Sequence, residues 1–122
     1  LRQVAHAFPK LQHVNFEDIA IDIKFIDPLF SSGAFGSIRH LELSNNWITD
    51  EALKQFCKYK FLFLKDLIIH KNPITYHGLE LLLASGSFPQ LERIVVPDTI
   101  PNKWLRQATR EHPHCAFQML PG

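Results

Sequence analysis

The sequence has no apolar run of the roughly 18 residues that a membrane-crossing helix needs, so no helical span is expected. Cysteine is scarce: Cys57 and Cys115 are the only two, and they show no metal-like pairing. They are compatible with a disulfide, but fit reduced thiols in a cytosolic or nuclear protein better. Five glycines are spread thinly, and none builds a phosphate-cradling loop. A nucleophile elbow and an H-E-x-x-H helix are missing too, so catalysis gains no support and no cofactor is expected. Charge is nearly balanced, 13 basic against 12 acidic residues, which removes any global field for gathering nucleic acid or anionic lipid.

What is present is periodic. Residues 38–53 lie over residues 64–79 at an offset of 26. Ile38, Leu41, Leu43, Ile48 and Leu53 match Leu64, Leu67, Ile69, Ile74 and Leu79, while Asn46 matches Asn72 and Thr49 matches Thr75. Leu41 and Leu43 alternate as in a short strand with one buried face, leaving Arg39, Glu42 and Ser44 outward. At the strand end the backbone must turn with polar groups facing inward, and a carboxamide can satisfy several of them. Thr49 then caps a helix whose first turn carries Asp50 and Glu51. Ala52, Leu53, Phe56 and Cys57 give that helix its apolar stripe.

The twice-met pattern L-x-x-L-x-L-x-x-N-x-L, with this period, resembles the leucine-rich repeat family. The stretch Ile-Thr-Asp-Glu-Ala-Leu at 48–53 is similar to the ribonuclease-inhibitor type. The resemblance implies an α/β fold: a right-handed solenoid with a short parallel sheet on its concave face and helices on its convex face. It implies one domain over 1–122, with a degenerate repeat at 1–37, two regular repeats at 38–90, and a last repeat with cap at 91–122. Strands are expected near 12–16, 39–43, 65–69 and 92–96, with return helices near 50–59 and 76–85.

Several local readings accompany this frame. Residues 1–8 suggest a helix tail ended by Pro9. Leu11, Val14 and Phe16 repeat the apolar positions, but Ile19 stands in the asparagine slot. Pro28, Gly33 and Gly36 argue for an irregular return over 26–36 rather than a full helix. The stretch 78–84 is apolar nearly all round and is expected to pack on both sides, with Gly86 as a left-handed cap. In the last copy Thr99 and Pro101 replace the asparagine and apolar positions. Pro101 opens a capping helix, and 115–119 suit a final edge strand. Phe8, Phe35, Phe61 and Phe88 each precede a repeat by three residues and should stack as an internal spine. The chain begins at Leu1 without a methionine or signal pattern, which suggests an excerpt of a longer protein.

Strand alternation also names the open face. Its columns are His13, His40, Asp66 and Arg93, then Asn15, Glu42, Ile68 and Val95, then Glu17, Ser44, His70 and Pro97. His13 and His40 fall side by side, roughly 5 Å apart, yet no further ligands converge on them and no metal is expected. Ile68 and Val95 form an exposed apolar pair with a polar rim, the make-up of a small protein-binding centre. The candidate partner-binding residues are therefore His40, Glu42, Asp66, Ile68, His70, Arg93 and Val95, extended along one edge by Trp47 and Tyr76. The function expected is a protein-interaction module or adaptor subunit of a larger assembly, intracellular and cytoplasmic, not an enzyme. An alternative is nucleic-acid contact through Arg39, Lys65, Lys71 and Arg93, which Glu17, Asp18, Glu42, Asp66, Glu92 and Asp98 oppose. Weaker still is a GTPase-activating type of regulator, implied by the ribonuclease-inhibitor-like subclass, with Arg39 as its one placed arginine.

Overall fold

The computed structural model describes residues 12–120. Five short strands, β1 (His13–Asn15), β2 (His40–Glu42), β3 (Asp66–Ile68), β4 (Arg93–Val96) and β5 (Ala116–Met119), form one sheet in the order β1-β2-β3-β4-β5. Every neighbouring pair is parallel. Parallel neighbours need a crossover, and each is supplied by one helix: α1 (Ile23–Phe30), α2 (Asp50–Phe56), α3 (Tyr76–Ala84) and α4 (Asn102–Glu111). The register sets Val14, Leu41, Leu67, Ile94 and Phe117 abreast, so the sequence offsets of 27, 26 and 27, and a shorter last step of 23, become a row of side chains.

That row points into the core. Val14, Leu41, Leu67 and Ile94 are buried there with Ile26, Phe30, Leu53, Phe56, Leu79 and Leu82 from the helices, and all the helices therefore lie on one face of the sheet. Trp104 and Leu105 bring α4 against the same core.

Two segments differ from expectation. The first return is a regular eight-residue helix, because it starts ahead of its breakers. Asp22 caps it by accepting from the Lys24 N–H at 2.9 Å, and Ile26 and Phe30 bury one turn apart. Pro28 then forfeits one backbone bond near the end of a short helix, while Gly33, at φ 77°, and Gly36 fall in the turn beyond it. The third helix does not pack on both sides: Gly78, Leu79 and Leu82 are buried but Leu81 is 48% exposed. Its cap is as expected, with Gly86 left-handed at φ 72°.

Asn46 and Asn72 lie buried at the strand-to-helix turns and stitch successive loops together. The Asn46 Oδ1 accepts from the Ile19 and Ile21 N–H groups of the preceding loop, and its Nδ2 donates to the carbonyls of Phe16, Leu43 and Ser44. Asn72 repeats the arrangement one unit on, accepting from Ile48 N–H and donating to Leu43, Ile69 and His70 carbonyls. Residue 19 holds no carboxamide, and the first loop is served by Asn46 from the next unit.

The phenylalanine spine is broader than the sequence spacing implied. Phe61 and Phe88 stack at 5.4 Å and 6°. Phe35 and Phe61 are instead bridged by Phe30, at 5.7 Å and 5.5 Å, and Phe56 lies against both Phe61 and Phe88. Phe30 and Phe56 come from the ends of α1 and α2, also 26 residues apart, a second column the sequence reading passed over. The expectations for residues 1–8, Phe8 and Leu11 lie outside the described residues.

Carboxylates tie each helix to the next. Asp27 of α1 accepts from Gln55 Nε2, at 2.8 and 2.7 Å, and from the Tyr59 hydroxyl. Asp50 of α2 accepts from Thr75 N–H at 2.8 Å and from Thr75 Oγ1 at 2.5 Å. A Cβ at residue 78 would collide with the Asp50 carboxylate that Thr75 holds in place, which favours Gly78 inside the helix. Glu80 of α3 accepts from the Trp104 Nε1–H at 2.9 Å.

Replacing Asn72 by Ala strands the Ile48 N–H and takes a donor from the Leu43, Ile69 and His70 carbonyls, of which Leu43 keeps Asn46 Nδ2 and His70 keeps the Asn45 N–H; it should cost about 1–3 kcal/mol in a denaturant melt. An unchanged midpoint for Asn72→Ala would deny the stitching role. The hydrogen bonds from Tyr59 and then Gln55 hold the Asp27 carboxyl below its ordinary value. A group depressed in this way contributes stability above its unfolded pKa, about 4, and loses it as pH falls through the folded value. The melting-temperature gap between the parent chain and Asp27→Asn should therefore be widest at neutral pH and close on acidification. A gap constant with pH would assign the effect to something other than this charge.

Candidate partner-binding site

The face of the sheet opposite the helices carries the outward columns. The first is a polar row that follows the strand register. The His13 and His40 rings lie 5.4 Å apart, close to the strand spacing. His40 Nδ1 is 3.6 Å from Asp66 Oδ2, and Arg93 Nε is 3.4 Å from Asp66 Oδ1. The latter is ion-pair proximity without hydrogen-bond alignment, for the Arg93 Nε makes no hydrogen bond. Arg93 Nη1 donates onward to Gln118 Oε1 at 3.5 Å. With side chains about a third exposed, these pairs add little stability but fix the order of charges across the face. Glu42 turns back on its own strand end and accepts from the Ser44 N–H at 2.9 Å.

The second column overturns the expected exposed pair. Ile68 is only 4% exposed and Val95 2%. Neither joins the core cluster on the other side; both are enclosed on the open face itself. The register explains part of this: Ile68 has Glu42 and Val95 beside it, and Val95 has Ile68 and Gln118. The fifth strand supplies Gln118, so Val95 is not at the rim. His70 is likewise buried, at 6%, and its Nδ1 has no hydrogen-bond partner. Ile68, His70 and Val95 are thus part of the packed protein, while His40, Glu42, Asp66 and Arg93 stay half-buried.

The accessible apolar surface is at the strand ends. Trp47 is 65% exposed and Ile19 56%. They border a cleft of about 340 Å³ with Asp18, Asn45, Lys71 and Pro73. Three equivalent loop residues, Asp18, Asn45 and Lys71, are left-handed, with φ of 55°, 57° and 56°. The Trp47 N–H donates to the Ile21 carbonyl at 2.8 Å, and the flanking Asn46 and Asn72 hold both walls. Trp47 therefore projects from a fixed loop. Tyr76 does not share this cleft: it lines a separate groove with Trp104 and Lys103. Ile19 was passed over because the repeat alignment treats it as a missing asparagine; unlike the buried Asn46 and Asn72 that fill the equivalent slots, it is exposed. At the opposite strand ends Leu62 and Phe63 are exposed, and the Arg39 guanidinium sits 5.9 Å over the Phe63 ring. Of the consecutive Phe61-Leu62-Phe63, only Phe61 turns inward.

The other candidate chemistries can be placed as well. Lys65 lies 3.6 Å from Glu92 and Arg93 beside Asp66, so both are partly neutralised. Burial pushes the Cys57 and Cys115 thiols up to about 11, and both are free. Among the described residues, no three His, Cys, Asp or Glu side chains converge as metal ligands, and no helix is long and apolar enough to cross a membrane.

The packing of Ile68 yields a test of this correction. Ile68→Asp places a charge in an enclosed site and removes about 1.5–3 kcal/mol of apolar burial before any desolvation cost. It should lower the stability by at least about 2 kcal/mol in a urea melt. A variant as stable as its parent would mean that Ile68 is accessible after all.

No family model matches the sequence, and no curated protein matches it. Among solved structures, the fold is similar to that of leiomodin-1 actin-binding site 2. The TM-score is 0.69 at 14% identity, and the match covers 98% of this chain and 76% of that one. At such identity the likeness concerns the fold.

Proposed function

We propose that the chain is a leucine-rich repeat unit of the ribonuclease-inhibitor-like type, a right-handed solenoid, and that it works as a protein-interaction module rather than an enzyme. Support for the family reading comes from the 26-residue offset, the two asparagines bonded alike, and strands that pair in parallel in chain order. Right-handed crossovers are the near-universal rule for parallel strands joined by a helix. The observation that carries the functional reading is Trp47, a large aromatic side chain 65% exposed on a loop held by two buried carboxamides. Tryptophan anchors of this kind concentrate binding energy at protein interfaces, and a fixed loop loses little entropy on docking. The leiomodin chain of similar fold is described as an actin-binding site, which is in keeping with a protein as the class of partner here.

The binding surface is thus the strand-end edge of Ile19, Trp47 and Pro73, with Asp18, Asn45 and Lys71 as its polar margin. A cytoplasmic, adaptor-like role within a larger assembly suits two free thiols. Nucleic acid is the weaker reading, since Lys65 and Arg93 already face carboxylates. Trp47→Ala should leave the melting curve within about 0.5 kcal/mol of the parent, as surface substitutions do. In quantitative pull-downs it should reduce the recovered partner by at least about tenfold, the effect of removing an anchor. A folded Trp47→Ala chain that captures its partner in full would move the site off this edge.

A further inference from the structure

A second surface lies at the C-terminal end of the molecule. A groove of about 640 Å³ runs along α4, with Tyr76, Pro101 and Trp104 giving it apolar walls and Lys103, Arg106 and Arg110 giving it charge. No carboxylate lines it. The three cations are exposed, and no ion pair is made by any of them among the described residues. That is unlike the sheet face, where Lys65 and Arg93 both have acidic neighbours. In a chain with a net charge of only +1, three cations on one ten-residue helix, without an ion pair among the described residues, are a local excess.

Their spacing is regular. Residues 103, 106 and 110 follow one another at three and four positions, and so form a single stripe about 10 Å long on the helix. Pro101 precedes the helix without a side-chain cap, so the first N–H groups of α4 add partial positive charge at the Lys103 end. Trp104 is fixed beside the stripe: its Nε1–H donates to Glu80, and its ring meets Phe117 edge-on at 6.0 Å. An aromatic wall held in place and a row of cations are matched by a chain carrying carboxylates and an apolar side chain.

We propose that this groove binds a short acidic segment of a partner protein, about four residues in extended form, with carboxylates on the Lys103–Arg106–Arg110 stripe and an apolar side chain against Trp104. An extended chain advances about 3.3 Å per residue, so four residues span the stripe. A nucleic acid fits less well. Its phosphates need cations over a longer track, whereas Glu80 and Glu111 stand at the margins of this short one, on the Trp104 side and the far helix end.

The two tryptophans let this surface be followed separately from the Trp47 edge. In Trp47→Phe, Trp104 is the sole indole. Titrating that chain with a hexapeptide alternating Glu and Phe should shift the Trp104 emission saturably, and added salt should weaken the binding. The same peptide with Gln for each Glu should bind at least tenfold more weakly. The exposed double variant Arg106→Ala/Arg110→Ala should keep the parent melting curve and lose at least tenfold in affinity for the Glu peptide. Equal binding of the Glu and Gln peptides, or unchanged affinity in the double variant, overturns the proposal. So does tighter binding of an oligouridine than of the Glu peptide, which would make the groove a phosphate track. Because Trp47→Phe is the background, a failure here leaves the proposed Trp47 edge untouched, and loss of that edge leaves this groove intact.

Discussion

The turns that follow β1, β2 and β3 force backbone groups inward at the point where the chain leaves the sheet, and a buried carboxamide is what satisfies them. Asn46 and Asn72 each take bonds from the loop before and give bonds to their own loop. A single side chain thereby sets the distance between adjacent units. The strands can be three residues long because their spacing is enforced from the loops as well as from the ladder between them. The left-handed Asp18, Asn45 and Lys71 follow from the same constraint, since the loop must bend sharply to present its groups to the next asparagine.

The helical layer answers with a different device. Successive helices present apolar stripes to the sheet, but along their outer flanks they meet through a carboxylate: Asp27 to Gln55 and Tyr59, Asp50 to Thr75, Glu80 to Trp104. Beneath them the phenylalanines of helix ends and strand entries interleave, edge to face or stacked. Loops, helices and core therefore enforce one repeat distance by three separate kinds of contact.

Much of this could be read from residue order because the constraints recur at a fixed offset. The positions of β1 to β4, the Thr49 cap, the roles of Asn46 and Asn72, and the stacking of Phe61 on Phe88 all follow from aligning the chain with itself. What escaped was whatever depends on neighbours outside the alignment. Ile68 and Val95 alternate outward as expected, yet outward does not mean exposed when strands crowd them on both sides. Ile19 looked like a gap in a pattern and is an exposed apolar residue. Trp47 and Tyr76 both lie past their strand ends, but Tyr76 is three residues further round its unit, the counterpart of Asp50, and lines the groove along α4 instead. Helix α1 was obscured by Pro28, whose cost is small once Asp22 has started the helix.

The carboxamide stitching is not uniform along the molecule, and this bears on how the protein opens. Asn46 joins the first loop to the second and Asn72 the second to the third, while the loop after β4 has Thr99 where a third asparagine would fall. The seam between β3 and β4 therefore lacks a carboxamide stitch and is closed by strand hydrogen bonds, the Lys65–Glu92 and Asp66–Arg93 ion pairs, apolar packing, the Ser87 bonds to Cys57 and Phe61, and the Glu80–Trp104 tie. Each strand pairs only with its neighbours in the chain, so a unit can detach without disturbing those behind it. Transient separation should start at that seam and carry β4, α4 and β5 away together. Their amide protons would then exchange with solvent sooner than those of β2 and β3.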